Sequence, residues 1–494
     1  MIIQHLPIFQ VIIPLMAAPI CLFLRRGDLC WAWATLATWC AFAISLALLF
    51  GVLDNGTVVY EIGDWAAPWG IEYRVDLFSA FILAIVTAIG SITVPYMARS
   101  VATEIPEERQ YLFYLMYLLC LAGLLGIAIT GDAFNLFVFL EISSLSSYVL
   151  ISMGKDRRAL TASFRYLIMG TLGATFYIIG VGLMYMMTGT LNMADLATLL
   201  PAVADSRTIL AALAFLTVGL CLKLALFPLH LWLPNAYTYA PSAVTVFLAS
   251  TATKVAIYAL IRVYFTIFGQ VELADGSAIQ LLWTVLAVAG MFVGSIVAIY
   301  QTNIKRMLAY SSVAQVGYIV LGLSFASVTG VAAGIVHVFN HAMMKGALFM
   351  AMGCIFYCIG SSHIKDMAGL GKRMPFTMAA FVGGGLSIIG VPLTVGFVSK
   401  WYLIQAALDE GMWFIAVLIV ASSLLAVIYV WRVVEVAYFN PAAPGIDMTV
   451  REAPLSMLVP MWLLVAASVY FGIDATATMD IALDAADFLL GGGQ

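Results

Sequence analysis

Long apolar stretches alternate with short breaks of charged, Gly and Pro residues from one end of the 494-residue chain to the other. A helix needs about 20 apolar residues to cross a bilayer. Fourteen such stretches are legible, at 6 to 24, 31 to 53, 75 to 98, 110 to 130, 132 to 153, 162 to 188, 208 to 231, 240 to 268, 279 to 300, 305 to 326, 330 to 359, 376 to 408, 412 to 438 and 454 to 472. The pattern predicts an all-α integral membrane protein with about fourteen membrane-spanning helices. Two spans are interrupted: the seventh carries Pro228 and Pro234 in KLALFPLHLWLP, and the twelfth carries Gly390, Pro392 and Gly396 in GVPLTVGFVSK. Irregular backbone at membrane depth is tolerated only where it is buried in protein or lines a cavity.

Corresponding broken helices in two halves of a chain point to an inverted repeat. Spans four to eight (110–268) and nine to thirteen (279–438) then form two five-helix units, the second inverted because an odd number of crossings flips it. Each broken span is the fourth of its unit. Residues 1–109 hold the first three spans, and 439–494 hold the last span and an acidic tail with Asp474, Asp480, Asp484 and Asp487. The longest loops, near 54–74 and 439–453, are too short to bury a core of their own.

Composition agrees: 64% hydrophobic and 10% charged residues, with a mean hydropathy of +1.05, exclude a soluble protein. The first stretch has no basic region before it and ends in Arg25 and Arg26, as a first span does and a cleaved signal does not. Lys and Arg remain on the cytoplasmic side, and this orients the bundle. With the N-terminus outside, the inner loops carry Arg25, Arg26, Arg99, Arg109, Lys155, Arg157, Arg158, Lys305, Arg306, Lys365, Lys372, Arg373 and Arg451, and the outer loops only Arg74 and Arg207. Both termini are therefore expected outside. The net charge of −4 and the lack of a basic run point away from nucleic acid. Seven scattered cysteines, an odd number, do not form a disulfide framework or a zinc site.

Few ionisable groups remain at membrane depth: Glu141, Lys223, Lys254, Lys345 and Lys400, with His230, His337 and His341. Glu141 lies roughly 13 Å into its span at 1.5 Å per residue, near the middle of a ~30 Å core. Each charge there costs at least ~2.5–3.5 kcal/mol, so these groups need a shared polar environment. His337, His341 and Lys345 stand at i, i+4 and i+8, on one stripe of a helix. A hydrated row of lysine, carboxylate and imidazole groups meets the need and conducts protons, because shifting an acidic partner loads or unloads a lysine and histidine relays near its ordinary pKa.

Plainer readings stand beside this one. Glu141 could make a structural hydrogen bond, the lysines could snorkel to headgroups, Lys345 could hold a helix-break carbonyl, and His230 could be an ordinary core histidine. The i, i+4 histidines could bind a metal, but HExxH is lacking. Gly383, Gly384 and Gly385 read as a site of close helix contact.

Six segments carry a resemblance: GDAFNLFVFLEISSLSSYVLI (131–151), KLALFPLHLWLPNAY (223–237), APSAVTVFLASTATKVAIYALIR (240–262), NIKRMLAYSSVAQVGYI (303–319), HVFNHAMMKGALFM (337–350) and GVPLTVGFVSKWYL (390–403). Over nearly its whole length the chain resembles the antiporter-like membrane subunits shared by respiratory complex I, membrane-bound hydrogenases and multi-subunit Mrp sodium/proton antiporters. The resemblance implies that Glu141 matches the family's fifth-helix glutamate, Lys223 its seventh-helix lysine, Lys254 its eighth-helix lysine and Lys400 its twelfth-helix terminal residue. It implies likewise that His337, His341 and Lys345 match the eleventh-helix relay, with His230 as a possible additional member.

Within the family the chain looks most like the D-type Mrp subunit, given its length, Lys400 and the absence of a long C-terminal lateral helix. The resemblance thus implies a proton-translocating subunit of a Na+/H+ antiporter in a bacterial cytoplasmic membrane. It would work beside other membrane subunits, hold no cofactor or metal and carry no chemistry of its own. A proton-pumping subunit of a redox-driven complex is the alternative. A histidine-dependent membrane enzyme fits less well, because the groups sit mid-bilayer.

Overall fold

The computed structural model describes residues 2–269, 276–441 and 451–491. In chain order the elements are α1 (Leu6–Leu24), α2 (Gly27–Asn55), a hairpin of β1 (Val58–Glu61) and β2 (Glu72–Val75), α3 (Leu77–Glu104), α4 (Glu107–Ile129), α5 (Ala133–Ser152), α6 (Arg158–Thr188), a short α7 (Met193–Leu199), α8 (Arg207–Leu224) and α9 (Trp232–Tyr239). Next come α10 (Ser242–Ile261), continued by a π turn over Arg262–Ile267, then α11 (Gly276–Ile299), α12 (Ile304–Ser324), α13 (Val328–Ile359), α14 (Leu370–Arg373), α15 (Pro375–Ile389), α16 (Val395–Asp409), α17 (Trp413–Phe439), α18 (Leu455–Ile473) and α19 (Thr476–Leu489).

Helices dominate because a lipid-embedded backbone must satisfy its own N–H and C=O groups. Among the described residues thirteen helices are long and apolar enough to cross a membrane, and the chain is a multi-span membrane protein. The fourteenth span is the split pair α15 and α16, which supplies the expected count. Side-chain caps fix several span ends: Asp76 accepts from Ser79 N, Asp132 from Asn135 N and Asn303 from Arg306 N, each satisfying an orphan donor of a first turn.

α13 stands at the centre, packed by α3, α10, α12, α15, α16, α18 and α19, and is buried almost continuously from Gly330 to Ile355. The glycine triplet acts as read. A Cβ on Gly384 would meet Leu348 Cγ at 2.8 Å, one on Gly385 would meet Val430 Cγ1 at 2.7 Å and one on Gly383 would meet Val465 Cγ1 at 3.0 Å. These three glycines let α15 approach α13, α17 and α18 closely.

Two features depart from the sequence reading. The 54–74 loop contains the antiparallel hairpin, with Val58 opposite Val75; its strands are too short for their alternation to register against the flanking spans. The acidic tail is helical: α19 packs on α13 and α3, turning Met479, Ala482, Ala486 and Leu489 inward. Residues 442–450 of the 439–453 loop lie outside the described residues.

Candidate functional site

Both interrupted spans bring a lysine to the end of a half-helix. α8 stops at Leu224 because Ala225 turns left-handed (φ 59°). The freed Leu222 carbonyl accepts from the indole of Trp232 at 2.8 Å, and that ring is stacked on Tyr166 at 3.8 Å and 4°. Lys223 is thus held in the last turn, where the carbonyl end of the helix dipole favours a cation. In the twelfth span α15 ends at Gly390, whose φ of 89° suits glycine. Lys400 reaches back from α16 and donates to the Ile388 and Ile389 carbonyls at 2.7 and 3.0 Å. A Cβ on Gly390 would lie 3.0 Å from Lys400 Cδ, so glycine there also makes room for the lysine chain.

Lys223 pairs with Glu141 across α8 and α5: its Nζ is 3.2 Å from Glu141 Oε1 and 2.6 Å from Ser144 Oγ. Lys223 is buried, while the Glu141 side chain keeps 23% exposure. Beside the pair, Ser143, Ser144 and Ser147 line a cavity of about 20 Å³ that reaches Ala252 and Ala256 of α10. A water needs roughly 10–15 Å³ by this measure, so the gap between Lys223 and α10 admits one.

Lys254, on α10, is fully buried and donates to the Ala249 carbonyl and to Thr253 Oγ1. His341 stands one turn before Lys345 on α13. Neither ring nitrogen of His341 has a partner among the described residues, although the residue has no exposure. Buried polar groups are otherwise nearly always satisfied, commonly by ordered water. His341 stacks toward His337 at 6.2 Å, and His337 contacts Gln315 Oε1 at 3.0 Å and Ser399 Oγ at 2.7 Å. Lys400 Nζ sits 4.8 Å over the Tyr318 ring. Lys345 donates to the Leu308 carbonyl and to Ser311 Oγ of α12. His230 lies in the break of the seventh span, stacked on Phe227 and edge-on to Tyr310, with Nδ1 unpartnered among the described residues.

Seven of the eight sequence-selected residues therefore form a paired end at Glu141 and Lys223, a central group on α10 and α13, and an end at Lys400, while His230 stands apart in the break of the seventh span. Snorkelling does not describe the lysines, since all four turn inward onto carbonyls, hydroxyls or a carboxylate.

Sequence reasoning missed Ser144, Gln315, Tyr318 and Ser399, polar residues in the quoted segments whose orientation a linear pattern does not give. It also missed two buried charge clusters. Arg262 and Asp76 pair at 2.5 Å with side chains 6% and 5% exposed. Lys305, expected in a basic loop, is buried in the first turn of α12; it donates to Ser242 Oγ at 3.0 Å and lies over Phe356. Glu104 accepts from Ser242 N at 3.0 and 3.1 Å. Lys305 and Glu104 border a cavity of about 300 Å³ at the end of the bundle that carries the basic loops, with Lys155, Asp156, Arg158 and His363. There Arg158, hydrogen-bonded to Asp156, holds the Asp156 carboxyl below the ordinary carboxylate range. Among the described residues no three His, Cys, Asp or Glu side chains converge as metal ligands do.

Residues 130–426 match the family described as NADH:quinone oxidoreductase/Mrp antiporter, TM. The N subunit of the NADH-quinone oxidoreductase of Desulforudis audaxviator is 43% identical over 492 residues, covering 95% of this chain and 96% of that one. The D-type subunit of the Na(+)/H(+) antiporter of Alkalihalophilus pseudofirmus is 32% identical over 450 residues, with 90% and 89% covered. Among solved structures, a chain of the Mrp complex from Dietzia superposes with a TM-score of 0.91 at 26% identity, covering 100% of this chain and 98% of that one. A chain of the membrane-bound sulfane sulfur reductase, an archaeal respiratory membrane complex, gives 0.91 at 30% identity with 98% of each covered.

Proposed function

The chain belongs to the NADH:quinone oxidoreductase/Mrp antiporter family, and from that premise we propose that it is the proton-translocating subunit of a multi-subunit Na+/H+ antiporter. Protons would move along Glu141, Lys223, Lys254, His341, His337 and Lys400, with Lys345 and His230 as flanking groups. The observation that carries the reading is the Glu141–Lys223 contact of 3.2 Å at the end of a half-helix. A carboxylate beside a buried ammonium favours its charged form, and separating the two releases the proton.

The chain is a subunit without a reaction of its own, working among other membrane subunits. Support for this is its likeness along its whole length to chains of multi-subunit membrane complexes. We take the basic end of the bundle as cytoplasmic, both termini as external and the bacterial cytoplasmic membrane as the location. Residues 110–268 and 279–438 are taken as two units of opposite orientation, each broken at its fourth span.

A second reading, a proton-pumping subunit of a redox-driven complex, is favoured by the 43% identical relative named as part of a quinone oxidoreductase. Proton movement is common to both readings and the driving force differs. In everted vesicles containing the assembled complex, Na+-dependent collapse of a pH gradient that is lost in Glu141→Ala and Lys223→Ala supports the antiporter. Proton uptake that requires an electron donor and ignores Na+ supports the redox reading. Wild-type exchange by either variant overturns the role of the pair.

A further inference from the structure

Lys254, Tyr258 and Arg262 stand at i, i+4 and i+8 on α10, one stripe that runs from mid-membrane toward the end of the bundle opposite the basic loops. Each step along it is roughly 6 Å. Arg262 opens the π turn that ends the helix, and such turns often mark functional positions. Beyond it lies a cavity of about 250 Å³ bordered by Asp76, Thr130, Tyr258, Arg262 and Phe488 of α19, far above the roughly 10–15 Å³ one water needs.

The hydrogen bonds along this stripe are specific. Tyr258 hydroxyl donates to the Ala128 carbonyl at 2.9 Å, lies 2.9 Å from Ser79 Oγ and accepts from Arg262 Nε at 2.9 Å. Arg262 Nη2 also donates to Ser79 Oγ at 2.8 Å and to Asp76 Oδ1 at 2.5 Å. With its own proton on the Ala128 carbonyl, the Tyr258 oxygen accepts from both Arg262 Nε and Ser79, which fills its two acceptor positions, so it is closed to a proton arriving from within. The lysine stem is long and flexible, and Lys254 now points back to the Ala249 carbonyl, away from Tyr258.

We infer that this end of α10 is an outer proton port, in which Tyr258 and Ser79 connect Lys254 to the cavity beneath α19 and the Asp76–Arg262 pair is the latch that closes it. When Arg262 leaves the hydroxyls with Asp76, Lys254 swings outward and gives an Nζ proton to the Tyr258 oxygen. Tyr258, its hydroxyl turned from the Ala128 carbonyl, passes its own proton to Ser79 Oγ, and Ser79 passes its proton to water in the cavity. Each hydroxyl ends with one proton, Lys254 is left neutral, and the water gains the charge. Lys254 is then reloaded from the histidine row. The port rests on the proton-translocation reading and adds an exit that none of the eight sequence-selected residues provides by itself. The alternative, a purely structural pin between α3 and α10, gives a different pattern in the variants below.

The test uses vesicles carrying the assembled complex, with no driving cation or electron donor, so that passive proton leak is measured whatever powers transport. Arg262→Gln is expected to raise the leak at least fivefold per assembled complex, and adding Tyr258→Phe is expected to return it to the wild-type level. A leak unchanged in Arg262→Gln, or one that persists in the double variant as general loosening would give, overturns the port. Should Arg262→Gln not assemble, Thr198→Cys decides: Thr198 is exposed at the rim of the cavity. A bulky membrane-impermeant thiol reagent added from the outer side should slow transport at least fivefold relative to the same variant before labelling. Complete labelling without slowing overturns the port. Wild-type transport in the same vesicles tests the parent reading separately.

Discussion

His337 Nδ1 lies 2.7 Å from Ser399 Oγ, and Ser399 immediately precedes Lys400, so one hydroxyl joins the histidines of α13 to the broken twelfth span. Ser399→Ala removes it and leaves a buried ring nitrogen without its partner, a change that costs about 1–3 kcal/mol. Proton transport in everted vesicles should fall about fivefold or more at unchanged subunit content, since about 1 kcal/mol corresponds to roughly that factor. Unchanged transport would mean that Lys400 and His337 act independently.

Lys223→Arg separates charge from proton release. The guanidinium can keep an ion pair with Glu141 but does not deprotonate in proteins. The variant should assemble at the wild-type level and show less than a tenth of wild-type pH-gradient formation. Activity near wild type would show that Lys223 serves as a fixed positive charge.

Gly123 sets the distance between α4 and α5. A Cβ there would lie 2.6 Å from Ser143 N, and backbone cannot step aside as a side chain does. Gly123→Ala should therefore cost about 1–3 kcal/mol through overpacking and displace the segment that carries Glu141 and Ser144. The readouts are a lower melting temperature of the purified complex together with lost transport. A variant with a wild-type melt would place the helices more loosely than the structure does.

Trp232→Phe retains a ring to stack on Tyr166 but leaves the Leu222 carbonyl at the end of α8 without its donor. An unmet buried acceptor costs about 1–3 kcal/mol, and thermal melting should drop accordingly. If stability holds while transport falls, the indole positions Lys223 rather than supporting the bundle.

The spans and both interruptions were legible because membrane helices announce themselves by length and by the Pro and Gly residues that break them. Glu141 and the lysines stood out for the same reason, as charges far from any loop. Arg262 and Asp76 did not, because each lies near the end of a predicted span, Asp76 at the start of 75–98 and Arg262 in the last turns of 240–268, away from the membrane middle where a charge stands out. Only the fold brings together residues separated by 186 positions and buries them as a pair. Lys305 was hidden in the same way at the other face. The docking of α19 was obscured by its acidic residues, although its inward Met479, Ala482, Ala486 and Leu489 follow a helical period. Partners such as Ser399 for His337 depend on which way each helix faces, and hydrophobicity says little about that in helices buried on all sides.

The enclosure of α13 has a consequence for how the protein is made. Its neighbours α3, α10 and α12 precede it in the chain, whereas α15, α16, α18 and α19 follow it. While the ribosome is still translating the last quarter of the message, His337, His341 and Lys345 have only part of their final surroundings. Biogenesis must shelter that stripe until the C-terminal segments arrive, and nascent chains stopped before α15 should be prime substrates for membrane quality-control proteases.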